Sequence, residues 1–387
     1  MTSSEIAPLP PIQVPFVKPL RTGEELTALQ QAVERRVLAG DNVASRAAEA
    51  YMRETLAINH VLLTPSGTAA LELAAILADL GPGDEVVMPS YTFASTANAV
   101  VLRGATPVFV DVRADTLNID AEQIRPALTE RTRAIMVVHY AGVPCDMDPI
   151  IELARSANLI VIEDAAQALH ARYRGRAAGA LGDMGAFSFH ETKNIHCGEG
   201  GAFTCQSANL GRRAEIVREK GTNRAAFFRG EIDKYTWIDV GSSFLPSELN
   251  AAFLTAQLER SREITTRRLE IWWEYHQAFR GLHDAGLALT PQIPADCEHN
   301  AHIYHLRLPS LARRTAVMLG LRRAGAQATS HYVPLHSSPA GLRYGRHVGD
   351  MINTNQAGSG LMRLPLWSEM TSGQVARVIE AVRNTVR

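Results

Sequence analysis

Short apolar runs alternate with amphipathic stretches from about residue 60 to residue 205. Val61-Leu62-Leu63, Glu85-Val86-Val87-Met88, Pro107-Val108-Phe109-Val110, Ala134-Ile135-Met136-Val137-Val138 and Leu159-Ile160-Val161-Ile162 each read as a strand. Between them, residues 68–80, 95–103 and 149–156 read as helices. Apolar runs without polar alternation belong to strands buried on both faces, as in a mainly parallel sheet flanked by helices. The expected fold class is therefore α/β.

The alternation stops near Cys205. Residues 207–220 read as a helix carrying Arg212, Arg213, Arg218 and Lys220, followed by a polar and aromatic segment to Val240. Pro246 then opens a long helix whose buried side is Leu249, Ala252, Phe253, Ala256 and Leu258. Beyond residue 283, short strands (303–308, 328–333) and two helices (about 310–324 and 371–386) describe a smaller α+β unit. The division expected is a large α/β domain over 1–250, then a long linking helix and small domain over 251–387. At the other end, Pro8, Pro10, Pro11, Pro15 and Pro19 favour an extended arm. Residues 22–39 read as an amphipathic helix with Leu26, Leu29, Val33 and Val37 on one stripe.

Length and charge narrow the class. At 387 residues the chain exceeds the size of most single cores, so two domains are the default. A net charge of -1 gives no general attraction to nucleic acid or acidic membranes, so an anionic ligand must be held by local groups. No apolar run approaches the 18 or so residues of a spanning helix, and the first residues lack the basic-then-apolar pattern of a secretory signal. Cys145, Cys197, Cys205 and Cys297 show neither a CxxC pair nor a disulfide-dense pattern. A cytoplasmic location is expected, and no metal site.

Four motifs sit near predicted strand ends, where open α/β sheets bind ligands. Ser66-Gly67-Thr68 opens a helix and offers amides to a phosphate, or simply a helix cap. Tyr91-Thr92-Phe93 follows a strand and offers an aromatic to a planar ring, or a core side chain. Asp164 ends an apolar strand with Gln167 three residues on; a buried acid needs a partner, and a protonated pyridine, a metal or a helix cap each qualifies. Lys193 lies in a small-residue corner, Ser188-Phe189-His190-Glu191-Thr192-Lys193-Asn194 followed by Gly198-Glu199-Gly200-Gly201. Desolvation there favours a neutral, nucleophilic amine able to hold an aldehyde, unless the lysine is a plain surface residue. In this order the four describe the needs of pyridoxal 5'-phosphate.

These residues resemble the DegT/DnrJ/EryC1/StrS family of sugar aminotransferases, which have the aspartate-aminotransferase (type I) fold and act as homodimers with active sites at the subunit interface. The resemblance is nearest to enzymes that aminate C4 of dTDP-4-keto-6-deoxyglucose. It rests on Pro89-Ser90-Tyr91-Thr92-Phe93, the lysine motif, Glu219-Lys220-Gly221-Thr222-Asn223-Arg224, Phe227-Phe228-Arg229-Gly230 and Gly241-Ser242-Ser243-Phe244-Leu245-Pro246-Ser247-Glu248-Leu249. It implies that Lys193 forms a Schiff base with the cofactor, Asp164 binds the pyridinium nitrogen, and Gln167 binds the ring hydroxyl oxygen. Phe93 would stack on the ring, and Gly67, Thr68 and Ser188 would hold the phosphate. Relatives add an asparagine from the partner subunit; here Ser242-Ser243 stands in that region, and Ser242 is the expected replacement.

Glutamate is the implied amino donor. Of the cations concentrated at Lys220, Arg224, Arg229 and Lys234, Arg229 is the expected diphosphate ligand, although exposed cations usually form only a solvated face. His190, His331 and Tyr332 are candidate sugar contacts, with His336 a further histidine that either reaches the sugar or is structural. The alternatives are a transaminase for another keto nucleotide sugar, such as a 3-keto sugar, or a non-catalytic regulator that binds the cofactor. Dehydrating relatives carry histidine in place of Lys193, and a dehydrogenase would need a GxGxxG after a strand, which is absent.

Overall fold

The computed structural model describes residues 9–386, so Met1 to Pro8 of the predicted arm lie outside the described residues. From residue 9 the arm runs without helix and docks on the C-terminal part of the chain. Val14 bridges to Ala326 and is fully buried in the C-terminal core with Trp272, Tyr304 and Leu321.

An eight-stranded sheet organises the rest. In spatial order its strands are His60–Thr64, Gly201–Cys205, Met184–Ser188, Ile160–Asp164, Thr132–Val138, Glu85–Pro89, Thr106–Val110 and Arg346–His347. All pairings are parallel except those of Gly201–Cys205, which runs antiparallel to both neighbours. Alternate strand residues go to opposite faces. Val86, Met88, Met136, Ile162 and Phe203 pack with the helix Gly67–Leu77, while Val87, Ile135, Val137 and Val161 pack with Ile124, Ile150 and Leu153 on the other side. Both faces are covered, and that is why these strands read as unbroken apolar runs.

The last strand of the sheet, Arg346–His347, comes from the C-terminal half. A second, antiparallel sheet joins His305–Arg307, Leu361–Arg363 and Thr329–Ser330, backed by helices Leu311–Arg323 and Ser372–Val386. The predicted long helix is two, Glu248–Glu259 and Ser261–Asp284, and Ser247 rather than Pro246 caps the first. No described helix is long and apolar enough to cross a membrane.

One predicted face is reversed. The helix expected over 22–39 spans Glu25–Glu34, and it buries Glu25 and Ala32 while Leu26 is 79% and Val33 55% exposed. Glu25 turns inward because its carboxylate accepts from the Thr22 and Gly23 amides and from the side chain of Gln257. The apolar stripe consequently faces away from the chain's own core.

Candidate active site

The antiparallel strand explains the lysine corner. Met184–Ser188 and Gly201–Cys205 are neighbours, with Ser188 opposite Gly201, so residues 189–200 must turn back within a short span. Phe189 and Cys197 exchange with Gly200 and Phe189 carbonyls, Glu191 N donates to Gly198 O, and Lys193 N donates to His190 O at 2.9 Å. Gly198 supplies the left-handed turn at φ +81°. Buried Phe189 and Ile195 anchor the turn from below. Lys193 is thereby held against the pocket wall, and burial lowers its pKa to about 8, with the Asp164 charge acting the other way and Arg363 adding to the fall. Near pH 8 about half of such amines are uncharged and nucleophilic.

Asp164 ends the strand Ile160–Asp164. One carboxylate oxygen accepts from Thr96 Oγ1 at 2.8 Å and the other from the Ala166 amide at 3.2 Å. Burial raises its pKa, opposed by those two bonds and by Lys193. A cationic ring nitrogen is the kind of partner that keeps such an acid ionised. Its neighbour Glu163 points to the other face, where it accepts from the Gly179, Leu181 and Gly182 amides and from His139 Nε2. His139 Nδ1 accepts from the Cys145 amide, so the ring proton sits on Nε2.

Gln167 turns its carbonyl oxygen to the Ala141 amide and donates its amide nitrogen to the Tyr332 hydroxyl, both at 2.8 Å. At the phosphate corner, Ser66 caps the helix by accepting from the Ala69 amide at 3.0 Å. A Cβ on Gly67 would come within 2.8 Å of Ser188 Cβ, so glycine is what lets the helix start close onto the strand end. Thr68 Oγ1 and Ser95 Oγ lie 2.7 Å apart beside it. Exposed amides at a helix start with hydroxyls around them suit a phosphate. Phe93, just before the helix Ala94–Val101, is 59% exposed and lines the same cavity, as a ring-stacking residue must. These residues fit the cofactor.

The cavity measures about 670 Å³. It gathers Lys193, Asp164, Gln167, Gly67, Thr68, Phe93 and Ser188, together with His190, His331 and Tyr332. His190 Nδ1 contacts Thr192 Oγ1, and His331 Nδ1 contacts the Tyr140 hydroxyl at 2.7 Å. His336 stands elsewhere, buried on Ser90 Oγ, so it is structural. Arg229 and Ser242 are not part of this cavity: Arg229 pairs with Glu215 and Glu231, and Ser242 is exposed. Sequence reasoning missed Phe16, Arg268, His302 and Arg363, all of which line it. The available signal for Arg363 was an arginine set in the apolar run Leu361-Met362-Arg363-Leu364.

The DegT/DnrJ/EryC1/StrS aminotransferase family matches residues 20–383. The chain is 34% identical over 383 residues to the spore coat polysaccharide biosynthesis protein SpsC of Bacillus subtilis, covering 97% of each. The structure of S. venezuelae DesV in complex with a ketimine intermediate superposes with a TM-score of 0.88 at 31% identity, covering 98% of this chain and 99% of that one. The PLP-form of Spr1654, a putative sugar aminotransferase of Streptococcus pneumoniae, does so with a TM-score of 0.85 at 25% identity, covering 98% of each. The chain belongs to the DegT/DnrJ/EryC1/StrS aminotransferases and is a pyridoxal 5'-phosphate-dependent enzyme.

Proposed function

We propose that the protein moves an amino group from glutamate to the C4 ketone of dTDP-4-keto-6-deoxyglucose, giving a dTDP-4-amino-4,6-dideoxyhexose. The observation that carries the chemistry is the meeting of Lys193, Asp164, Gln167 and the Gly67-Thr68 corner in one cavity. The substrate rests on the sequence block 219–249, with its cations Lys220, Arg224, Arg229 and Lys234.

Pyridoxal 5'-phosphate, when bound, supplies a carbonyl to take up the amino group and an electron sink that acidifies the adjacent C–H bond. Lys193 Nζ anchors it, then takes the proton from the donor's α-carbon and returns one to the sugar's C4. Asp164 keeps a proton on the ring nitrogen, and Phe93 covers the ring face. Gly67, Thr68 and Ser188 seat the phosphate, and Gln167 faces the ring hydroxyl. His190, His331 and Tyr332 contact the sugar.

A homodimer in the cytoplasm is part of this reading. The exposed apolar side chains Leu26, Val33, Trp237, Ile238 and Val240 support it, and a second copy is the source we assign for Ser242 at the phosphate and Arg229 at the diphosphate. Incubation with dTDP-4-keto-6-deoxyglucose, glutamate and cofactor, followed by NMR of the sugar ring couplings, tests the assignment. Amine at C4 is expected; no turnover of this sugar alongside turnover of a 3-keto nucleotide sugar would replace it.

A further inference from the structure

We infer that Arg363 is the carboxylate anchor for the amino donor. This rests on the reading that an α-amino acid is that donor. Arg363 lies on the wall of the Lys193 cavity at the end of the strand Leu361–Arg363. The plane of its guanidinium sits over the Phe16 ring, 4.8 Å from the centroid. Its edge is nearly idle: buried Nε has no acceptor, and Nη2 reaches only the Ser330 carbonyl, at 3.3 Å. Among the described residues no carboxylate pairs with it.

The same edge shows its preference elsewhere in this chain. Arg346 turns Nε and Nη2 onto the two oxygens of Glu85 at 3.1 and 2.8 Å, and Arg113 does so onto Asp115 at 3.0 and 2.6 Å. At Arg363 the two-pronged fork is present without the acid. A desolvated guanidinium lacking a counter-ion favours an incoming planar carboxylate. The other arginine on the wall, Arg268, directs each of its three nitrogens to a backbone carbonyl, of Ala301, Leu366 and His302. Arg363 is thus the cation of this wall with a ligand edge to offer.

Glutarate, a dicarboxylate with no amine to transfer, is the probe, and thymidine diphosphate is the comparison anion. Calorimetric titration of the cofactor-loaded protein reads both. Arg363→Gln is expected to weaken glutarate about tenfold or more, the size of one charge-assisted contact, with thymidine diphosphate binding unchanged. Equal glutarate affinity, or a loss confined to thymidine diphosphate, overturns the assignment; the latter gives the guanidinium to the nucleotide. Should the glutamine variant not fold, Arg363→Lys decides. A point charge without the fork should bind glutarate about threefold or more weakly, and unchanged affinity sinks the proposal. Neither arm uses the keto sugar, so failure of the sugar assignment remains separately visible.

Discussion

Asn194 Oδ1 and His302 Nδ1 lie 2.9 Å apart, so the residue next to the catalytic lysine determines which nitrogen of a pocket histidine bears the proton. The Asn194 amide nitrogen donates to the Asn300 carbonyl at 2.9 Å, leaving its oxygen as the acceptor and His302 Nδ1 as the donor. Burial, with Lys193 and Arg268 nearby, pushes His302 well below its ordinary pKa, so the ring is neutral. Its Nε2 is then an acceptor.

Asn194→Ala strips partners from both the Asn300 carbonyl and His302 Nδ1. Buried groups left unpaired cost about 1–3 kcal/mol, and urea unfolding should show a loss of that order. A variant as stable as the parent would mean that this bond does not hold the lysine turn.

Gly67→Ala tests the phosphate corner. The new Cβ would stand 2.8 Å from Ser188 Cβ, so the helix start must move off the strand end. Overpacking of this kind costs about 1–3 kcal/mol. Spectrophotometric titration with pyridoxal 5'-phosphate should show weakened binding; undiminished affinity would move the phosphate seat elsewhere.

Much of the large sheet was legible because burial on both faces writes itself into the chain as unbroken apolar runs, from Val61 to Ile162. The lysine turn was legible because Gly198 and Gly200-Gly201 announce a tight return. Strand direction was not, since Gly201–Cys205 carries the same kinds of residue whichever way it runs. Arg346–His347 is two polar residues completing a sheet by backbone bonds alone, and the helix Ile352–Gly360 reads INTNQAGSG with no apolar period. The stripe Leu26-Leu29-Val33 was seen correctly as apolar but assigned to the wrong side, because the inward pull comes from polar bonds to Glu25. His302 and Arg363 reach the cavity through long-range packing that spacing does not encode.

Asp164→Asn keeps shape and the Thr96 contact but removes the charge. With the cofactor still bound, the rate of amino transfer should fall about a hundredfold or more, the scale of losing an electrostatic partner in a water-poor site. Stopped-flow absorbance during reaction with glutamate measures it. Unchanged rates would leave Asp164 with a purely structural role beside Thr96.

Lys193 should announce its burial through pH before any substrate is added. In the cofactor-free protein its pKa is about 8, below the ordinary 10.5 of an unfolded chain. Under pH 8 both states carry the proton and folding must bury the charge, so stability is reduced there. Between about 8 and 10.5 the unfolded chain binds more protons than the folded one, and stability rises with pH. Lys193→Met removes this dependence. Its urea stability should therefore exceed the parent's most below pH 8, with the gap closing toward pH 10.5. The same variant, given cofactor, should show neither the Schiff-base absorbance nor turnover. A gap independent of pH would place the lysine amine in water, and transamination by the methionine variant would take the reaction away from residue 193 altogether.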